Sequence, residues 1–244
     1  MSKLGYVFLL FAIFLASTFF AQNEALFLQN KTFTYADLIQ TYQRLSANSS
    51  FVNLSEAGRS DVGKPIHLVV IAKDGDFSFE SARKNRKSIL LINNGIHAGE
   101  ACGIDASVEL AKKLTNPNHE LHKMLDSVVV LIVPVYNVGG MLNRGTFSRA
   151  NQNGPEEHGF RGNAKNLDLN RDFIKLDSRN AKTFTKLFRA WDPDIFVDTH
   201  TTNGSDHQYT LTLINTQKDK LNPVFSPFAE QEMVPAFYQQ MREK

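Results

Sequence analysis

The chain has 244 residues, 42% hydrophobic and 21% charged, with 14 Gly and 8 Pro; this is globular usage, and it excludes disorder, collagen-like repeats and a multi-span membrane protein. The 27 Lys and Arg against 25 Asp and Glu give a formal charge of +2, too weak a field for a protein that coats nucleic acid or lies on an anionic membrane. The one cysteine, Cys102, excludes an intramolecular disulfide framework and a cysteine-rich zinc finger, so a metal site here is built from His, Glu and Asp.

Residues 1–21 stand apart, because Lys3 is their only charge and Leu4 to Phe20 is an almost unbroken apolar stretch. This reads as a secretory signal peptide that directs the protein to a secreted or periplasmic location; an uncleaved membrane anchor is the other reading of an apolar stretch of this length. Residues 22–244 then read as one domain, without an internal repeat, low-complexity tract or linker. After signal cleavage no membrane span is expected, and the domain is expected to act as a monomer.

From Thr34 the apolar positions Tyr35, Leu38, Ile39, Tyr42 and Leu45 follow i, i+3, i+4, i+7 spacing, which predicts an amphipathic helix with Thr34 as its cap. The period then changes. Pro65 to Ala72, Ser88 to Ile92, Val128 to Val135 and Asp194 to Asp198 are short, β-branched and nearly continuous in apolar character, the pattern of strands covered on both faces. Helices are predicted between them over Gly103 to Leu114 and Ser178 to Trp191, and Phe228 to Lys244 reads as a surface helix. Strands alternating with helices predict an α/β fold with a mainly parallel or mixed central sheet and helices on both faces.

In open α/β sheets, ligands gather on the loops after the carboxyl ends of the strands. Two such loops carry His97, Glu100 and His200. Catalytic zinc takes three protein ligands and leaves a position for water; a short ligand pair with one distant ligand is a common layout. A His and a Glu three apart are a weak signal alone. Their context is the polar segment Arg161 to Phe173, in which Asn170-Arg171 suits recognition of a small anion and Arg161 adds a second fixed cation. A metal, two guanidiniums and an amide describe a site that polarises a carbonyl and grips a carboxylate.

On these residues the chain resembles the zinc carboxypeptidases, the carboxypeptidase A-like metallocarboxypeptidases: a His-x-x-Glu pair at His97/Glu100, a distant His at His200 and an Asp-x-Asn-Arg element at Asp168/Asn170/Arg171. The likeness runs from about Tyr35 to the chain end. It implies that His97, Glu100 and His200 hold one zinc ion per chain, that Arg161 stabilises an oxyanion, and that Asn170 and Arg171 bind the terminal carboxylate of a peptide substrate. It also implies that Asp168 orients a zinc-bound imidazole, which needs its other nitrogen paired. The implied activity is hydrolysis of the last peptide bond by zinc-activated water.

Some elements of the family pattern have no match. Its general-base glutamate lies on a late strand, and its substrate-closing tyrosine and specificity-pocket floor follow; all three are expected beyond Lys244, so the chain resembles the first two-thirds to three-quarters of a catalytic domain. Glu230, Glu232 and Glu243 are not assigned the role of base. Gly99 stands where the family usually has an arginine, Asn137-Val138-Gly139-Gly140 replaces Asn-Pro-Asp-Gly, and Thr201-Thr202 follow the last histidine, departures that bear on substrate preference.

Other groups read as structural. His119 and His122 are expected at the surface, Arg83 to Lys87 as a solvated basic turn, and Cys102 as a small buried thiol. The absence of a Gly-x-Ser-x-Gly elbow and of a Walker-type loop weighs against a serine hydrolase and a nucleotide enzyme. Two alternatives stay open: a zinc acylase similar to the aspartoacylase and succinylglutamate desuccinylase group, and a non-catalytic peptide-binding or truncated product that lacks the base.

Overall fold

The computed structural model describes residues 26–242; the expected signal peptide lies outside the described residues. These residues divide into two compact units, with the boundary between Asn203 and Gly204. Among them no helix is long and apolar enough to cross a membrane.

The first unit is built on a five-stranded sheet of β1 (Val52–Arg59), β2 (Pro65–Ile71), β3 (Ser88–Asn93), β4 (Val128–Val133) and β5 (Ile195–Asp198). Their order is β1-β2-β4-β3-β5. β3 runs parallel to β4 and β5, whereas β2 pairs antiparallel with β1 and β4. The sheet is therefore mixed, with its parallel part confined to β4, β3 and β5, and the candidate site follows the ends of β3 and β5. The four strands predicted from apolar runs are all present. β1 was not predicted, because only Val52 of its eight residues is buried and the rest are polar or half-exposed.

Five helices accompany the sheet: α1 (Tyr35–Asn48), α2 (Phe79–Lys84), α3 (Cys102–Thr115), α4 (Val138–Leu142) and α5 (Arg179–Trp191). Thr34 caps α1 as expected, its side chain accepting from the Asp37 N–H, and Ser178 caps α5 by accepting from Ala181; each satisfies a backbone donor that the first helical turn leaves unpaired. The core is continuous across strands and helices: Ile89, Leu91 and Leu131 pack with Leu38 and Tyr42 of α1, Val108 and Ala111 of α3, and Phe184 and Leu187 of α5. Such runs of Leu, Ile and Val on central strands contribute about 1.5–3 kcal/mol per fully buried side chain.

Several local expectations are corrected. β5 is not covered on both faces: Ile195, Phe196 and Val197 are 40%, 38% and 40% exposed, and among the described residues it is an edge strand paired with β3 alone. Arg83 to Lys87 is no mere solvated turn, since Arg83 Nη1 donates to both carboxylate oxygens of Asp194, at 2.8 and 3.0 Å, and Lys87 is buried on Asp74. His122 is buried, its Nδ1 3 Å or less from the Leu114 carbonyl (2.7 Å) and its ring edge-on to Phe51. Cys102, by contrast, is exposed at the start of α3.

The second unit, residues 204–242 as described, contains the short helix α6 (Phe225–Phe228), a π-helical turn over Ala229–Met233 and α7 (Val234–Arg242). The predicted surface helix is thus present, with Ala229 its buried position.

Candidate metal centre

The centre forms where β3 and β5 end side by side. β3 passes into residues 94–100, and the register Asn93↔Asp198 sets the end of β5 beside it. Asn93 extends the ladder, its carbonyl accepting from the Thr199 N–H at 3.0 Å, while its side-chain amide donates to Asp198 Oδ1 at 2.8 Å. Gly95 turns the chain with φ +62°, where a Cβ would come within 3.0 Å of both Ile104 and Val135. A side chain there is excluded twice, by conformation and by space. The next turn closes when the Glu100 N–H donates to the His97 carbonyl at 2.9 Å, which places the two side chains on one point.

His97 and Glu100 are 3% and 2% exposed, and His200 reaches them from the loop after β5. One ligand atom from each of the three lies within 4.8 Å of the others. His97 Nδ1 is 2.9 Å from Glu100 Oε1, and His200 Nδ1 is 2.9 Å from Glu100 Oε2. Each imidazole has its far nitrogen on another carboxylate: His97 Nε2 lies 3.1 Å from Asp168 Oδ1, and His200 Nε2 lies 3.0 Å from Asp198 Oδ2. Asp168, to which the resemblance assigns the orienting of a zinc-bound imidazole, lies against His97. Asp198 was missed, although residues two apart on an extended chain share a side, a signal available from Asp198-Thr199-His200.

Electrostatics follow from this packing. Burial alone would raise the Glu100 carboxyl, but hydrogen bonds from His200, His97 and the Thr201 N–H outweigh it and hold the group well below the usual carboxylate range. Asp198 and then Glu100 raise His200 to about 9, against a smaller opposing effect of burial. Asp168 likewise overcomes its burial and stays below the ordinary range through His97 and Arg161.

The donor set fits zinc. Two imidazole nitrogens and a carboxylate converge, each imidazole has its other nitrogen held by a carboxylate, and no sulfur is present; this is the composition of an open, three-ligand zinc site.

Arg161 stands at the rim, 38% exposed, with Nη1 4.0 Å from Glu100 Oε1. It grips Asp168 Oδ2 through Nε at 3.1 Å and Nη2 at 2.9 Å. Asn137, fully buried, holds the Arg161 carbonyl with its amide at 2.9 Å, so its place in the departing Asn137-Val138-Gly139-Gly140 motif is a brace for the rim. Asn170 and Arg171 lie on a 3-10 turn over Leu169–Arg171 that Asp168 caps. The Arg171 guanidinium is exposed and bonds the Asn170 carbonyl at 2.9 Å. Missed altogether was Arg149, whose Nη1 donates to Glu100 Oε1 at 3.1 Å.

Comparison with known proteins agrees with this architecture. A family model described as zinc carboxypeptidase matches residues 38–209. Carboxypeptidase 2 of Trichophyton rubrum is 26% identical over 160 residues, which cover 65% of this chain and 26% of that protein. A metallo-carboxypeptidase from Burkholderia cenocepacia superposes with a TM-score of 0.57 at 19% identity, covering 71% of this chain and 42% of that one. A metallo-carboxypeptidase from Pseudomonas aeruginosa, solved with (2-guanidinoethylmercapto)succinic acid, gives 0.56 at 20% identity and covers 72% and 42%. The chain thus spans about a quarter of the length of the curated relatives it matches and under half of these two solved chains. With a family match over most of its length and the matching fold, the chain belongs to the zinc carboxypeptidase family.

Proposed function

We propose that the protein is a secreted metallocarboxypeptidase that removes residues from the free C-terminus of peptides, with one zinc ion held by His97, Glu100 and His200. The observation that carries this reading is the convergence of the three ligand atoms within 4.8 Å, with Asp168 and Asp198 behind the two imidazoles. Zinc bound there would supply a Lewis acid and lower the pKa of a coordinated water.

The remaining chemistry belongs to the chain. Asp168 fixes the His97 tautomer and at the same time holds the Arg161 guanidinium, so one carboxylate sets the distance between a metal ligand and the group that stabilises an oxyanion. Arg161 has its Nη1 directed at the cluster, where a developing negative oxygen gains a preorganised donor. Asn170 and Arg171 present an amide and a planar guanidinium on one short turn, a pairing that recognises a terminal carboxylate. No glutamate of the chain is assigned as the base that takes the proton from water. Secretion rests on the apolar, nearly uncharged residues 1–21.

The test is to incubate the zinc-loaded protein with peptides ending in basic, apolar and acidic residues, each as the free acid and as the amide. Mass spectrometry should show loss of the last residue from free acids only, abolished in His97→Ala. Cleavage of N-acyl amino acids in place of peptides would instead indicate zinc acylase chemistry, and binding of free-acid peptides without turnover a non-catalytic module.

A further inference from the structure

Arg149 is 49 residues from Glu100 in sequence, yet its guanidinium lies against that carboxylate, with the two side chains 7% and 2% exposed. Its neighbours Ser148 and Ala150 are exposed, whereas the arginine side chain turns inward. Burying a guanidinium is costly unless its position is used, and Arg149 Nε is buried with no hydrogen-bond partner.

The two ends of the fork explain the placement. Nη1 donates to Glu100 Oε1 at 3.1 Å, and Nη2 donates to Asn203 Oδ1 at 3.2 Å. One planar group therefore joins a candidate zinc ligand to the segment that follows another, His200. The same loop adds two parallel ties, Asn151 Nδ2 to the Asn203 carbonyl and Gln152 Nε2 to Thr201 Oγ1, both at 2.8 Å. Gly99 makes the approach possible: a Cβ there would stand 2.5 Å from Arg149 Cδ and 2.6 Å from the Gly159 carbonyl oxygen.

Four polar groups lie within hydrogen-bond distance of the Glu100 carboxylate. The imidazoles of His97 and His200 face the cluster, and a cation would take over those contacts; Arg149 and the Thr201 N–H hold the carboxylate independently of them. We infer that Arg149 is a positioning residue of the metal centre, which fixes the rotation of the Glu100 carboxylate and, through Asn203, locks the His200 loop so that the three ligand atoms stay converged. The inference rests on the reading of His97, Glu100 and His200 as zinc ligands. Lysine offers a point charge in place of a fork and cannot span both acceptors in this way.

The experiment compares zinc affinity, by chelator competition, and the visible absorption of the cobalt(II)-substituted protein. It uses wild type, Arg149→Met, Arg149→Lys, Gly99→Ala and Asn203→Ala. Arg149→Met and Gly99→Ala should weaken zinc binding by about 10–100-fold and shift the cobalt bands, which report ligand geometry and which a merely structural loss would leave in place. Arg149→Lys should recover part of the affinity. Should Arg149→Met not fold, Asn203→Ala still removes one end of the brace without touching Glu100, and it should weaken binding several-fold. Wild-type affinity and an unshifted spectrum in Gly99→Ala and Asn203→Ala overturn the inference. Failure of the wild type to take zinc overturns the underlying ligand reading, a separate result seen before any variant is made.

Discussion

Asp198 stands behind His200 as Asp168 stands behind His97: its Oδ2 lies 3.0 Å from His200 Nε2, while its other oxygen is pinned by Asn93. Each imidazole thus has a carboxylate partner on the side away from Glu100, and both Nδ1 atoms are presented to the same point. Asp198→Asn keeps the shape but removes the charge that orients and polarises the ring. Zinc affinity should fall about 10–100-fold, measured by competition with a chelator, with the far-ultraviolet circular dichroism unchanged; retention of full affinity would contradict the role.

The metal-free protein should have a characteristic pH dependence. His200 is raised in the fold to about 9 from an ordinary 6.5, so its stabilising contribution is full below pH 6.5 and is lost as pH rises towards 9. Glu100 is depressed from an ordinary 4.5, so its contribution is present above that value and is lost on acidification. Calorimetry of chelator-treated protein should therefore show the melting temperature declining between pH 6.5 and 9, and His200→Gln should flatten that decline. Zinc binding in the same range must displace the His200 proton, so affinity should rise with pH. A melting temperature that climbs from pH 6.5 to 9 would contradict this account.

Asp194 ties the start of β3 to α2 and to the turn before β5: Oδ2 accepts from the Ile89 N–H at 2.7 Å, and Arg83 Nη1 donates to both oxygens of the same carboxylate. Asp194→Ala should cost about 1–3 kcal/mol, read by urea denaturation. The direction follows from leaving a backbone donor and a guanidinium without their shared partner.

Leu131, fully buried on the central strand β4, has neighbouring strands on both sides and little room for collapse. Leu131→Ala should cost about 2–5 kcal/mol, whereas Ile195→Ala on the exposed edge strand should cost under about 1 kcal/mol. Equal losses at the two positions would contradict the placement of the core.

Much of this was legible because the physics is local. Strands buried on both faces read as unbroken apolar runs, so β2, β3 and β4 could be placed from sequence, and α1 announced itself through Thr34 and its 3.6-residue period. The three convergent candidate ligands, His97, Glu100 and His200, were legible as polar residues just past strand ends. β1 was not, since a strand with one buried residue has no periodic signal. Arg149 was not, because its partners are set by the path of an irregular loop, which no periodicity encodes. His122 was misplaced for a similar reason: its burial comes from a carbonyl eight residues back and from Phe51, neither visible in its polar surroundings.

The most direct measurement is X-ray absorption at the zinc edge on the purified, zinc-loaded protein, with His97→Ala and His200→Ala beside it. The account predicts one zinc per chain with about two imidazole nitrogens and carboxylate or water oxygens at ~2.0–2.2 Å and no sulfur, and loss of one imidazole shell in each variant. A protein that takes up no zinc, or whose zinc environment is unchanged in both variants, would contradict it.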